Sequence, residues 1–189
     1  RTFFILLFSG IINGFSLSFI FLLPLILITH LIFLKILFEE NVCKKCVLNG
    51  WVFGFGFFLG SMHWIISPFL VYEKHFFLAP LVIIFFPFLM GVFFAFIAFF
   101  IYKIYTNVDK KNFFYTRSFL ISFCFFVSEI LRSKILGGLP LNLMAHLWAF
   151  NSSFILISKY IGVFGLSLLT INWLTIMALT ILEKRKGFF

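Results

Sequence analysis

The stretch Phe76-Phe77-Leu78-Ala79-Pro80-Leu81-Val82-Ile83-Ile84-Phe85-Phe86-Pro87-Phe88-Leu89-Met90-Gly91-Val92-Phe93-Phe94-Ala95-Phe96-Ile97-Ala98-Phe99-Phe100-Ile101-Tyr102 decides the fold class. It contains no charged side chain. A helix needs about 20 apolar residues to cross a hydrocarbon core about 30 Å thick, and this run is longer than that. Pro80 suits the start of such a helix. Pro87, inside it, removes a backbone bond and predicts a kink near residues 83–86. The rest of the chain reads the same way: 63% of its 189 residues are hydrophobic and only 11% charged, with a mean hydropathy of +1.16. That leaves too little polar surface to cover a water-soluble globule. The sequence predicts an all-α membrane protein.

Charge clusters and Pro or Gly breaks divide the remainder into further spans of the same kind. Six are expected, over residues 3–20, 24–38, 47–70, 76–102, 113–131 and 154–182, in one transmembrane helical domain covering 1–189. Pro24 fits the first turn of the second, where its missing N–H is no loss. The third carries Gly50, Gly54, Gly56 and Gly60, two overlapping small-residue stripes that let another helix backbone approach closely. The chain begins Arg1-Thr2-Phe3 without Met and without the cleavage pattern of a secretory signal, which reads as a truncated start.

The net charge of +9 would suggest nucleic acid in a soluble protein, but here the basic residues lie in short connections, as orientation signals do. No nucleic-acid partner is expected. With the amino end inside, Arg1, Lys35, Lys44, Lys45, Lys103, Lys110, Lys111, Arg117, Lys184, Arg185 and Lys186 fall on the inner side, eleven of the 15 basic residues. Lys74, Arg132, Lys134 and Lys159 fall on the other. This asymmetry fits an even number of spans with both ends cytoplasmic.

Chemistry-bearing residues are few. Cys43-Lys44-Lys45-Cys46 has metal or redox spacing but no second ligand pair, so two reduced thiols in a basic loop are expected. The four histidines lack the spacing that would place two on one helix face, and no metal site is expected. His63-Trp64 reads as an interface anchor. No nucleophilic triad, phosphate loop or paired catalytic carboxylates can be assembled, and the catalytic set is expected to be empty.

The densest polar cluster is Ser128-Glu129-Ile130-Leu131-Arg132-Ser133-Lys134, followed by Gly137-Gly138-Leu139-Pro140-Leu141-Asn142, His146 and Trp148. Glu129 is the only acidic residue deep in an apolar span, where an ionisable group is costly unless paired or facing a polar cavity. Arg132, three residues on, shares its helix face: a structural Glu129–Arg132 ion pair at the outer membrane edge is one expectation, and a substrate contact is the other. The Gly-Gly-Leu-Pro turn cannot continue a helix. A re-entrant or interfacial segment lined by Asn142 and His146 is one reading of it, and an ordinary loop turn is the other.

Three blocks in register resemble the amino-terminal membrane region of bacterial apolipoprotein N-acyltransferases. They are the glycine-rich Asn49 to Ile65 ending in His63-Trp64-Ile65; Glu129-Ile130-Leu131-Arg132 with Gly138-Leu139-Pro140-Leu141-Asn142; and Ile161-Gly162-Val163-Phe164-Gly165-Leu166-Ser167-Leu168-Leu169. The resemblance covers essentially the whole chain. One departure is Leu141, where the family has Trp. What the resemblance implies is transfer of a fatty acyl chain to the N-terminal diacylglyceryl-cysteine of lipoproteins in the bacterial cytoplasmic (inner) membrane. Phospholipid is the acyl donor and diacylglyceryl lipoproteins are the acceptors. The chemistry passes through a thioester on a cysteine, with no metal or nucleotide cofactor. The family's Glu-Lys-Cys triad lies in a nitrilase-like domain that follows the matched region. No residue here matches it, so the chain is expected to be a fragment that is inactive alone and missing that domain. Glu129, Arg132, Gly138, Pro140, Asn142 and His146 are then expected in the lipid-substrate region rather than as catalytic groups. A small non-enzymatic polytopic membrane protein, a transporter subunit or assembly partner, is the alternative reading of the same residues.

Overall fold

The computed structural model describes residues 1–17, 22–71, 73–107, 114–135, 137, 141–149 and 152–186. Helices dominate and, among the described residues, no strand occurs. In chain order they are α1 (Thr2–Ser16), α2 (Leu23–Glu39), α3 (Cys43–Ser61), the short α4 (Ser67–Val71), α5 (Ala79–Asn107), α6 (Phe114–Ile135) and α7 (Ser152–Lys186). Short 3₁₀ segments lie at His63–Ile66, Glu73–Leu78 and Met144–Trp148.

The bundle is apolar outside and partly polar inside. Phe3, Phe4, Phe8, Ile28, Leu81, Ile84, Phe85 and Val92 are exposed, whereas Asn13, Thr29, His30, Ser118, Ser122 and Thr175 are buried. Lipid tails solvate the outer face, and the inner polar groups find partners on neighbouring helices. The protein is therefore a polytopic helical membrane protein. Among the described residues, three helical stretches are long and apolar enough to cross a membrane, Phe76–Asn107, Phe114–Ile135 and Ile155–Glu183. A fourth is Cys43–Ser61 with His63–Phe69 if that pair, bent by 60°, forms one span. That is fewer full-length crossings than the six expected. The helical stretches are all present, but α1 and α2 have only 15 and 17 residues, below the roughly 20 of a full crossing.

The glycine stripes of α3 explain the packing order. Gly56 and Gly60 face α1, where an added Cβ would lie 2.3 Å from the carbonyl oxygens of Leu7 and Ile11. Gly50 and Gly54 face α5, with Cβ positions 2.4 Å from Ala98 and 2.6 Å from Phe94. Each stripe thus serves a different neighbour. α1 answers with its own pair, Gly10 and Gly14, packed on the backbone of Phe53 and Phe57, so α1 and α3 run parallel in backbone contact. Between α2, α3, α5 and α6 lies an aromatic core: Phe33 stacks on Phe53 at 4.3 Å between centroids, and Phe94 meets Phe57 at 5.0 Å and Phe125 at 6.1 Å.

The α6–α7 seam is polar. Arg117 pairs with Glu183, the hydroxyls of Ser118 and Ser122 both donate to Asn172 Oδ1 at 3.3 Å, and Ser167 meets Glu129. These matches, 117 with 183 and 129 with 167, make the two helices antiparallel. His30 on α2 reaches Thr175 on α7 at 3.2 Å, and Asn13 on α1 donates to Thr29 on α2 at 2.7 Å. A neutral interhelical hydrogen bond in a membrane is worth roughly 0.6–2 kcal/mol. Several of them along one seam fix register, which close-packed apolar side chains alone would leave loose.

Two sequence expectations meet the local backbone differently. Lys44 and Lys45 sit in the first turn of α3, not in a loop, and the Cys46 thiol is buried and donates to the Ala98 carbonyl at 3.5 Å. The last stretch is broken within α7 at Gly162, whose φ of 73° and ψ of 166° leave the helical region. Such a conformation favours glycine, which has no Cβ to clash.

Candidate functional site

One end of the bundle gathers the C-termini of α3 and α6, the break in α7 and the irregular segment 141–149. Glu129 and Arg132 project from the last turns of α6. Both are buried, at 6% and 3% exposure. They do not form the expected ion pair with each other. Glu129 Oε1 accepts the backbone N–H of Met144 at 3.1 Å, and Oε2 accepts the Ser167 hydroxyl at 2.5 Å. Arg132 donates from Nη2 to the carbonyls of Leu141 at 2.9 Å and Asn142 at 3.1 Å, and its guanidinium lies 5.2 Å from the centre of the Phe58 ring. The physical reason is the intervening backbone: non-helical N–H and C=O groups at this depth have no water to bond, and charged side chains satisfy them better than each other.

Asn142 turns the chain with φ of 51°, a left-handed conformation that Asn tolerates better than most residues. Its side-chain amide donates to Ser61 Oγ at 3.1 Å, tying the turn to the end of α3. The 3₁₀ turn Met144–Trp148 then buries Leu143, Met144, Ala145 and Leu147. Trp148 donates from its indole to Thr170 at 2.8 Å. Beyond it, an open apolar groove of about 170 Å³ runs along α7, lined by Trp148, Ile157, Leu166, Leu169, Thr170 and Trp173. His146 is exposed at the surface of the segment. Gly138 and Pro140 lie outside the described residues.

So Glu129, Arg132 and Asn142 converge on one segment, and His146 belongs to it. Sequence reading missed the partners on other elements, Ser61, Ser167 and Thr170. Ser61 and Ser167 lie within two blocks of the family resemblance and Thr170 just beyond one, but nothing in α3 or α7 names its neighbour. Elsewhere, His63 closes the end of α3 through its Nδ1 contact with the Gly60 carbonyl at 2.9 Å, leaving Trp64 exposed beside it.

This geometry belongs to a chain whose sequence matches, over residues 9–176, the family model described as the apolipoprotein N-acyltransferase N-terminal domain. The chain belongs to that family. It is 30% identical over 175 residues to the apolipoprotein N-acyltransferase of Rickettsia prowazekii (strain Madrid E), covering 90% of this chain and 33% of the relative. With the apolipoprotein N-acyltransferase of Rickettsia bellii (strain RML369-C) it shares 30% identity over 165 residues, 86% of this chain and 31% of the relative. The chain thus spans about a third of the length of the curated relatives it matches. Within the apolipoprotein N-acyltransferase N-terminal domain, the matched region takes in α3, Glu129 and Arg132, the 141–149 segment and most of α7.

Proposed function

We propose that residues 1–189 form a single transmembrane helical domain that serves as the membrane portion of an apolipoprotein N-acyltransferase in the bacterial cytoplasmic membrane. The reaction is transfer of a fatty acyl chain from a phospholipid to the α-amino group of a lipoprotein's diacylglyceryl-cysteine. The family match over residues 9–176 carries this reading. Two features support it. The apolar groove beside Trp148 suits hydrocarbon rather than a polar solute, and the basic residues crowd toward one side, which orients both ends to the cytoplasm under the positive-inside rule. In this reading the segment 141–149 belongs to the outer face, and Glu129, Arg132, Gly138, Pro140, Asn142 and His146 are its lipid-substrate region.

Residues 1–189 supply the lipid-access bundle in this reading, and the nucleophile belongs to a nitrilase-like domain. The test reconstitutes the 189-residue chain in phosphatidylethanolamine vesicles with a synthetic diacylglyceryl-cysteine peptide, alone and fused to the remaining two-thirds of the Rickettsia prowazekii relative. Mass spectrometry should show one added acyl group on the peptide amine only with the fusion. Turnover by the 189 residues alone would overturn the division of labour, and an inert but folded fusion would overturn the acyl-transfer reading.

A further inference from the structure

Arg132 is the residue that charge alone would assign to an anionic lipid headgroup. Its surroundings argue otherwise: it is 3% exposed, lies against the Phe58 ring, and spends Nη2 on two backbone carbonyls of its own chain. Glu129, one turn earlier, holds the complementary group of the same segment, the Met144 N–H. The two side chains therefore grip an irregular stretch from both ends of its hydrogen-bonding capacity, the cation on two acceptors and the anion on a donor. Opposite charges joined through an oriented peptide segment leave no net charge in the apolar interior, which relieves the desolvation that either alone would suffer. Asn142 on Ser61 and Trp148 on Thr170 fasten the same segment to α3 and α7.

We infer that Glu129 and Arg132 are positioning residues, a buried backbone clamp that holds segment 141–148 in place at the membrane edge, and that Arg132 makes no headgroup contact. The clamp itself stands on the geometry alone. Only its value to acyl transfer rests on the function proposed above.

The test needs no turnover. Leu143, fully buried, is replaced by Cys in the 189-residue chain, and its reaction with a membrane-impermeant maleimide is followed by peptide mass spectrometry in phosphatidylcholine and phosphatidylglycerol vesicles. A Leu147→Cys reporter repeats the measurement should the first perturb the fold, and Ser122→Cys reports on the α6–α7 seam. Losing two charge-assisted bonds should open the segment, so Arg132→Ala or the milder Arg132→Gln should speed labelling at 143 or 147 by about tenfold or more. Labelling at 122 should stay slow, both lipids should give the same rates, and Arg132→Lys should return the rate toward the parent. Unchanged labelling at 143 and 147, labelling of 122 in step with them, or a rate that falls in phosphatidylglycerol for the parent but not for Arg132→Ala would each overturn the clamp, the last by showing a headgroup contact. An inactive fusion in the acyl-transfer assay with the labelling pattern intact would remove the proposed function and leave the clamp standing.

Discussion

Gly14 of α1 lies against Phe57 of α3 so closely that an added Cβ would fall 2.0 Å from the Phe57 carbonyl oxygen. Backbone is the obstacle there, so no side-chain rotation can make room. Gly14→Ala should push α1 off α3 and destabilise the bundle by about 1–3 kcal/mol or more, as overpacking does. Gly165→Ala is the milder comparison: its Cβ would come 3.0 Å from the Ile161 Cβ, which must give by a few tenths of an ångström rather than by a whole backbone, and a loss under about 1 kcal/mol is expected because Ala is the better helix former. Denaturation in detergent micelles measures both. Equal effects would mean that the α1–α3 approach is not tight.

At the opposite end of the bundle, Arg117 is buried while its partner Glu183 is partly exposed, and the Arg117 Nε has no hydrogen-bond partner among the described residues. Glu183→Ala would leave a buried guanidinium with its countercharge gone. Arg117→Met would leave a carboxylate that water can reach. The first should therefore be the more damaging, by about 1–3 kcal/mol after allowing for the exposed side of Glu183. An equal or reversed order in thermal unfolding would contradict the burial asymmetry.

Asn142 carries two separable duties, a left-handed backbone and a side-chain bond to Ser61. Asn142→Gly keeps the first and gives up the second, so a loss of about 1 kcal/mol is expected. Asn142→Val gives up both and adds a β-branched residue at positive φ, for a loss about 1–2 kcal/mol larger. If Gly and Val prove equally costly in unfolding experiments, the backbone conformation is not what the position demands.

Glu129 accepts two hydrogen bonds from different elements, Met144 and Ser167. An amide in its place has one acceptor oxygen and turns a donor toward the other partner. Glu129→Gln should then cost about 1–3 kcal/mol, and adding Ser167→Ala should recover part of it by removing the hydroxyl left without an acceptor. The double-mutant cycle, measured by denaturation, fails the idea if the two losses simply add.

Much of the bundle was legible because a membrane imposes rules that act on composition and run length. The uncharged run from Phe76 to Tyr102 falls almost wholly within α5, and Glu129 stood out as the one carboxylate deep in an apolar span. The stripes of α3 announced close helix contact. What they could not announce was direction: one register of glycines turns to α1 and the other to α5, and that depends on how far each neighbour rotates about its axis. The Gly10 and Gly14 pair that completes the α1 contact went unread, since two glycines four apart gain meaning only opposite another backbone.

The candidate site shows the same division. Glu129, Arg132, Asn142 and His146 were picked out from the sequence by their charge, polarity and spacing, and a local rule paired Glu129 with Arg132 because residues three apart share a helix face. Tertiary structure set that pairing aside. A folded-back segment brought the Leu141 and Asn142 carbonyls and the Met144 N–H between them, and unmet backbone groups in an apolar setting outweigh a bond the two side chains could have made with each other. By itself, then, the sequence determined a helical membrane bundle and the residues at its polar end, because the solvent and the peptide bond act on every chain alike. Only the tertiary structure decided who bonds to whom, because those partners, Ser61, Ser167 and Thr170 among them, come from far along the chain and become neighbours only when the helices pack.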